Sequence, residues 1–416
     1  MRKKIVSLFL ILLISFSAQV FAVDSSELNL NSGACLLVEE STNSILYEKN
    51  FKEKMFPAST TKILTALLVL ENCKLTDVAT VSSTAVSELD SGYVTSYIAV
   101  GEVLTVEQLL NVLLVPSGNV AGNVFAELIS GSTQNFSALM NKRAEELGCI
   151  NSHFTNPYGK HDDNHYTCAY DLYLITKEAM KHKDFRDIVS KTAYVLAPTN
   201  KHSKNDRTLY STNDLLKSSS TYYYKYAIGI KTGFTSQAKE CLVTAATKDN
   251  MTLYAILLGA DKSDSGISYR YNDAKKLFDF GFNNYLFRTI KSKGNSIETI
   301  EIEGATNATK NLDLLIDSNI TALVSTDDEY SSFSPEITLE ELSAPIEEGS
   351  VVGTASYSIN GLTYSANLIA GSKVEKSYTF IIIMGIVGFV LLLLFLRLIF
   401  FKKKRKKKSK YKGTLY

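Results

Sequence analysis

The stretch Phe56-Pro57-Ala58-Ser59-Thr60-Thr61-Lys62, with the apolar run 63–70 behind it, decides how the chain is read. Proline just ahead of such a run marks a helix entry, because its fixed φ and missing N–H suit a first turn. Ser59 then stands in that turn with Lys62 three residues on, and residues at i and i+3 share a helix face. A serine hydroxyl is a weak nucleophile until a neighbour takes its proton. A lysine desolvated among other cations has its pKa lowered enough to do so. The backbone N–H groups orphaned at the helix start also favour negative charge developing beside Ser59.

The S-x-x-K spacing by itself is weak, since Ser236-Gln237-Ala238-Lys239 has it too. The remaining parts of a serine acyl-transfer site follow in order, however. Ser117-Gly118-Asn119 lies where one helical pattern stops at Pro116 and another starts, and Lys231-Thr232-Gly233 closes an apolar run that reads as a strand. S-x-N recurs at Ser41-Thr42-Asn43 and Ser211-Thr212-Asn213, whereas K-T-G occurs once. The ordered trio is far more specific than any member. Through these residues, and through Pro116-Ser117-Gly118-Asn119 and Gly229-Ile230-Lys231-Thr232-Gly233-Phe234-Thr235, the sequence resembles the penicillin-binding serine peptidases. It is most similar to the low-molecular-mass D-alanyl-D-alanine carboxypeptidases, over nearly the whole chain.

That resemblance implies a β-lactamase-like transpeptidase fold and an acyl-serine reaction. Ser59 is then the nucleophile and Lys62 its base, Ser117 relays a proton to the leaving D-alanine, and Asn119 orients Lys62 and the substrate amide. Lys231 supplies positive field and Thr232 a hydroxyl donor for the terminal carboxylate. Gly233 lets a substrate backbone approach. Arg270 stands where the family has a carboxylate-binding arginine, an exposed helix-entry arginine being the alternative. The implied partners are a peptidoglycan stem peptide ending in D-Ala-D-Ala and, as inhibitors, β-lactam antibiotics; no metal or other cofactor is implied. Lys239 departs from the glycine that relatives commonly have. Two rivals stay in view. A serine β-lactamase would want a glutamate placing a deacylating water after the second motif, and no E-x-x-L-N pattern is found there. A non-catalytic membrane-anchored cell-wall binding protein would not need intact motifs.

The rest of the chain fits an exported, anchored protein. Arg2, Lys3 and Lys4, an apolar core at 5–14 and Val20-Phe21-Ala22 read as a secretory signal, 1–22, with an uncleaved anchor as the alternative. Cys35, Cys73, Cys149, Cys168 and Cys241 are odd in number and lack C-x-x-C spacing, which fits buried small hydrophobes better than disulfides or a zinc site. The length predicts two domains, 25–287 and 288–373. Within the first, 34–38 and 44–47 read as a hairpin, 78–100 as strand and loop, and 106–115, 119–129, 136–147, 171–181 and 271–282 as helices. Three extended runs, 226–231, 241–247 and 253–259, predict an antiparallel sheet with K-T-G on its edge strand. Flanking helices make this an α+β domain. His161-Asp162-Asp163-Asn164-His165 holds metal-capable residues but follows turn chemistry and reads as a solvated loop. Tyr222-Tyr223-Tyr224-Lys225-Tyr226 reads as strand and rim packing.

After about residue 285 the composition turns to Ile, Val, Thr and Ser in short alternating runs, and Asn360-Gly361 between such runs signals a type I′ hairpin: a small all-β domain. Residues 380–396 carry no charge and predict a transmembrane helix over 378–401, with Arg397 near enough to its end to snorkel. The basic tail 402–416 predicts a cytoplasmic C-terminus. The formal charge is +1, but three positive charges lie in the first four residues and nine in 402–412, leaving −11 elsewhere. Nucleic-acid binding is therefore disfavoured.

Overall fold

The computed structural model describes residues 28–90, 92, 97–263, 265–328 and 333–410, with side chains as far as Phe401. The expected signal, 1–22, and the end of the basic tail lie outside the described residues. The first apolar run becomes β1 (Ala34–Glu39), paired with β2 (Ile45–Lys49) in the expected hairpin. All six residues of β1 are buried. The strand period of two explains this: Ala34, Leu36 and Val38 join a core of helices, while a methyl of Leu37 packs at Gly281 on the other face.

A turn of 3-10 helix, Ala58–Thr61, leads into α1 (Lys62–Asn72). There follow β3 (Val78–Thr80), α2 (Ser83–Ser87), β4 (Val103–Thr105), α3 (Val106–Leu114), α4 (Asn119–Ser130), α5 (Thr133–Glu146), α6 (Ala169–Lys181) and α7 (Lys183–Val189). Next come β5 (Ala193–Leu196), β6 (Arg207–Tyr210), β7 (Ala227–Thr235), β8 (Lys239–Lys248), β9 (Met251–Ala260) and α8 (Tyr269–Asn284). Residues Lys62 to Val69 are all buried, because α3, α4, α5 and α6 surround α1. A helix buried on every side needs no polar face, which accounts for the unbroken apolar run. The short α2, in a region read as strand and loop, is started by the Ser82 side chain accepting the Ala85 N–H. At five residues it is too short to carry a period. The helix α7 and the β5–β6 hairpin were not anticipated from the sequence either.

The main sheet has the order β2-β1-β9-β8-β7, antiparallel throughout. This puts β7, with Lys231-Thr232-Gly233 inside it, at an edge, as expected. The helix α8 packs on β1, β8 and β9, and α6 on β1 and β9. All five cysteines are free and all but Cys73 are buried.

The chain divides into two compact units, Met1–Phe287 with Leu323–Asp328, and Arg288–Ala322 with Glu329–Tyr416. Later elements are β10 (Tyr285–Lys291), β11 (Ser296–Glu301), β12 (Asn311–Ile316), β13 (Ile320–Ser325), β14 (Glu336–Leu339), β15 (Val351–Ile359) and β16 (Leu362–Ala370). Five of them form an antiparallel sheet of order β11-β12-β16-β15-β14. Asn360 and Gly361, at φ 51° and 75°, make the β15–β16 turn, the two left-handed residues that a type I′ hairpin requires. The final helix is α9 (Thr379–Lys410). Within Thr379–Phe401 an 18-residue stretch reaches a mean hydropathy of 3.0, and none of it is buried. At 1.5 Å per residue Thr379–Phe401 is about 35 Å long, enough to cross a hydrocarbon core of about 30 Å.

Candidate active site

Ser59 and Lys62 meet in 3-10 geometry, where the sequence had predicted the first turn of an α-helix. With three residues per turn, positions i and i+3 eclipse, and Lys62 Nζ lies 2.8 Å from Ser59 Oγ. The turn is tight: Ala58 has φ 47°, and the Pro57 carbonyl accepts both the N–H and the hydroxyl of Thr60. Two glycines press against it. A Cβ at Gly159 would fall 1.8 Å from the Ala58 carbonyl oxygen, and one at Gly233 would fall 2.9 Å from that of Pro57 and 3.1 Å from the Ser59 nitrogen. The neighbour that demands glycine in K-T-G is thus the serine turn itself.

The Lys62 head is buried among three groups: Ser59 Oγ, Asn119 Oδ1 at 2.7 Å and the Tyr158 carbonyl oxygen at 2.7 Å. Burial first, and the Lys231 cation second, hold its pKa well below the ordinary lysine value. A neutral amine has two N–H groups and one lone pair. The Tyr158 carbonyl only accepts, and Asn119 presents its oxygen, so these two take the N–H groups. In that neutral form the lone pair is left for the Ser59 hydroxyl. Asn119 reaches this position because α4 starts there, just after Ser117 in the α3–α4 turn at φ 67°.

On β7, Lys231 is buried and donates to the Thr232 carbonyl at 2.9 Å. Burial and then Arg270 bring its pKa down to about 7. The Thr232 hydroxyl bonds that of Thr212 at 2.5 Å, and Asn213 donates to the Gly229 carbonyl at 2.9 Å. Ser211-Thr212-Asn213, seen in the sequence only as a chance match, therefore buttresses the K-T-G strand. Arg270 is not the exposed helix-entry arginine of the alternative reading. Its side chain is 13% exposed, and Nη1 donates to the Gly233 carbonyl at 2.9 Å. Ser236 is exposed, and Lys239 of that second S-x-x-K match pairs with Asp261. Lys239 adopts φ 57°, a left-handed conformation that glycine takes without strain.

Three contributors escaped the sequence. The Tyr158 carbonyl is backbone, invisible to a search for side chains, and Thr212 looked like background. The third corrects the solvated-loop reading of 161–165: His165 is buried. Its Nδ1 accepts the Thr155 N–H at 3.0 Å, so the proton sits on Nε2, which donates to Thr61 Oγ1 at 2.8 Å. Burial depresses its pKa to about 3. Among the described residues no cluster of three His, Cys, Asp or Glu could hold a metal ion.

A sequence profile described as D-alanyl-D-alanine carboxypeptidase matches residues 20–262, well over half of the chain. The chain belongs to the D-alanyl-D-alanine carboxypeptidase family. A second profile, the C-terminal domain of penicillin-binding protein 5, matches residues 285–376. Among curated members, the carboxypeptidase DacF of Bacillus subtilis is 31% identical over 91% of this chain and 96% of its own length. The solved structure of penicillin-binding protein 5 from Haemophilus influenzae superposes with a TM-score of 0.60 at 25% identity, over 83% of this chain and 98% of that one. The Streptomyces K15 DD-transpeptidase gives 0.56 at 32% identity, over 61% of this chain and 97% of its own.

Proposed function

We propose that this carboxypeptidase removes the terminal D-alanine from peptidoglycan stem pentapeptides through an acyl-ester on Ser59, and that β-lactams acylate the same serine. The observation that carries this reading is the buried Lys62 Nζ 2.8 Å from Ser59 Oγ, where burial holds its pKa well below the ordinary lysine value. Ser59 Oγ bonds to the carbonyl carbon of the D-Ala-D-Ala link as its proton passes to Lys62. Backbone N–H groups, that of Ser59 included, stabilise the oxyanion. Ser117 relays the proton to the departing amine as the C–N bond breaks, and water then hydrolyses the ester. Asn119 holds Lys62 and the substrate amide. Lys231, Thr232 and Arg270 receive the terminal carboxylate beside Gly233. With its pKa brought to about 7, Lys231 is returned to the charged form by an arriving carboxylate.

The same reading has 1–22 export the chain, 25–287 carry catalysis, 288–373 form the small β domain, 378–401 span the membrane and 402–416 stay in the cytoplasm. The catalytic domain then faces the cell wall. An apolar segment of spanning length followed by a basic run supports that orientation.

The test is D-alanine release from a pentapeptide by the full chain in detergent, alongside covalent penicillin labelling. Release with a label that persists for many minutes is expected, and both should vanish in Ser59→Ala. Rapid β-lactam hydrolysis would instead indicate a β-lactamase, absence of any label a non-catalytic wall-binding protein, and a label on Ser236 a wrong nucleophile.

A further inference from the structure

Glu240 is the second residue of β8, directly opposite Phe234 of β7 and Ala260 of β9, and is 5% exposed. A carboxylate buried beside the strand that carries Lys231, Thr232 and Gly233 needs partners. One oxygen accepts the Ser268 hydroxyl, and the other lies 3.8 Å from Nη2 of Arg270. Ser268 is the N-cap residue of α8, where a serine oxygen ordinarily accepts an N–H of the first turn. Its side chain makes no such bond; it is turned to Glu240. The local preference of the helix start has been given up to hold this carboxylate.

Arg270 is fixed from several sides. Nη1 donates to the carbonyls of Gly233 at 2.9 Å and Cys241 at 3.4 Å, and the guanidinium lies over the Tyr271 ring at 4.8 Å. Glu240 supplies the negative charge among these contacts. The arginine is thereby placed against the K-T-G strand with part of its field offset.

We propose that Glu240 is a specificity-determining positioning residue, which sets the strength of the site's preference for a free C-terminal carboxylate by holding and partly neutralising Arg270. The inference rests on the reading of Arg270 as a carboxylate donor. Its chemical sense follows from the product. Released D-alanine carries the same carboxylate as the substrate, so an arginine at full strength would bind both tightly without favouring the transition state. An attenuated one recognises the chain end and still lets the product leave.

The experiment compares kcat and KM for a D-Ala-D-Ala peptide as the acid and as its C-terminal amide, using the full chain in detergent. Wild type, Glu240→Gln, Arg270→Ala and the double variant are measured. Glu240→Gln keeps the shape and an acceptor for Ser268 but removes the charge. It should raise the acid-to-amide ratio of kcat/KM several-fold, chiefly by lowering KM for the acid, and should strengthen inhibition by D-alanine. Arg270→Ala should lower the ratio and make Glu240→Gln silent in its background. Should Glu240→Gln fail to fold, judged by lost penicillin labelling, Glu240→Met removes the same charge at similar volume and carries the same expectation. An unchanged ratio in the charge-removing variant, or an equal change with Arg270 absent, overturns the proposal. If Arg270→Ala itself leaves the ratio untouched, the carboxylate reading of Arg270 falls, and this inference with it.

Discussion

A buried histidine adds to the acid sensitivity of this protein. His165 is neutral in the fold, its Nδ1 facing the Thr155 N–H and its Nε2–H engaged by Thr61, so protonation would set a second N–H against a backbone donor. Its pKa falls from the ordinary 6.5 to about 3. Above pH 6.5 both folded and unfolded chains carry it neutral and it contributes no pH dependence. Below that value only the unfolded chain takes up the proton, so stability is lost as the pH drops from 6.5 toward 3. At pH 5 the unfolded histidine is about 1.5 units past its midpoint. At about 1.4 kcal/mol per unit this removes about 2 kcal/mol, and the figure barely changes for any folded value below about 4. The assay is urea unfolding of wild type and His165→Gln at pH 7.5 and 5.0, followed by circular dichroism because the chain has no tryptophan. Retained penicillin labelling identifies the transition of the catalytic unit. Carboxylates common to both proteins cancel in the comparison, so wild type should lose about 2 kcal/mol more than the variant. Equal losses would refute the reasoning.

Three further outcomes are expected. Burial and the Lys231 cation lower the pKa of Lys62 in the fold, so the unfolded chain binds its proton more readily and its contribution to stability rises with pH toward the ordinary lysine pKa. The unfolding free energy of wild type should therefore gain on that of Lys62→Met as the pH rises toward 10, by up to about 1.4 kcal/mol per unit. Gly233→Ala drives a methyl into the Pro57 carbonyl and the Ser59 nitrogen. It should abolish penicillin labelling and cost about 1–3 kcal/mol in denaturant unfolding. Lys239→Gly relieves a left-handed lysine whose ion pair with Asp261 is largely exposed. It should raise the melting temperature, reflecting about 1 kcal/mol, with D-alanine release retained.

Much of this protein is legible locally. Side chains three residues apart at a helix entry meet whatever the rest of the chain does, so Ser59 and Lys62 could be paired on paper. Alternating apolar runs and the Asn360-Gly361 turn likewise carry their own geometry, which is why the β1–β2 and β15–β16 hairpins and the K-T-G strand are readable. What local pattern cannot express is which distant group completes a site. Lys62 becomes a candidate base because α3, α4, α5 and α6 close around α1, shutting water out, and because Tyr158 presents a backbone carbonyl from 96 positions away. The same closure turns His165 from a loop residue into a prop for Thr61, and requires glycine at 159 and 233, where two distant segments press on one turn. Desolvation and close approach are properties of assembled surfaces, so only the tertiary structure decides them.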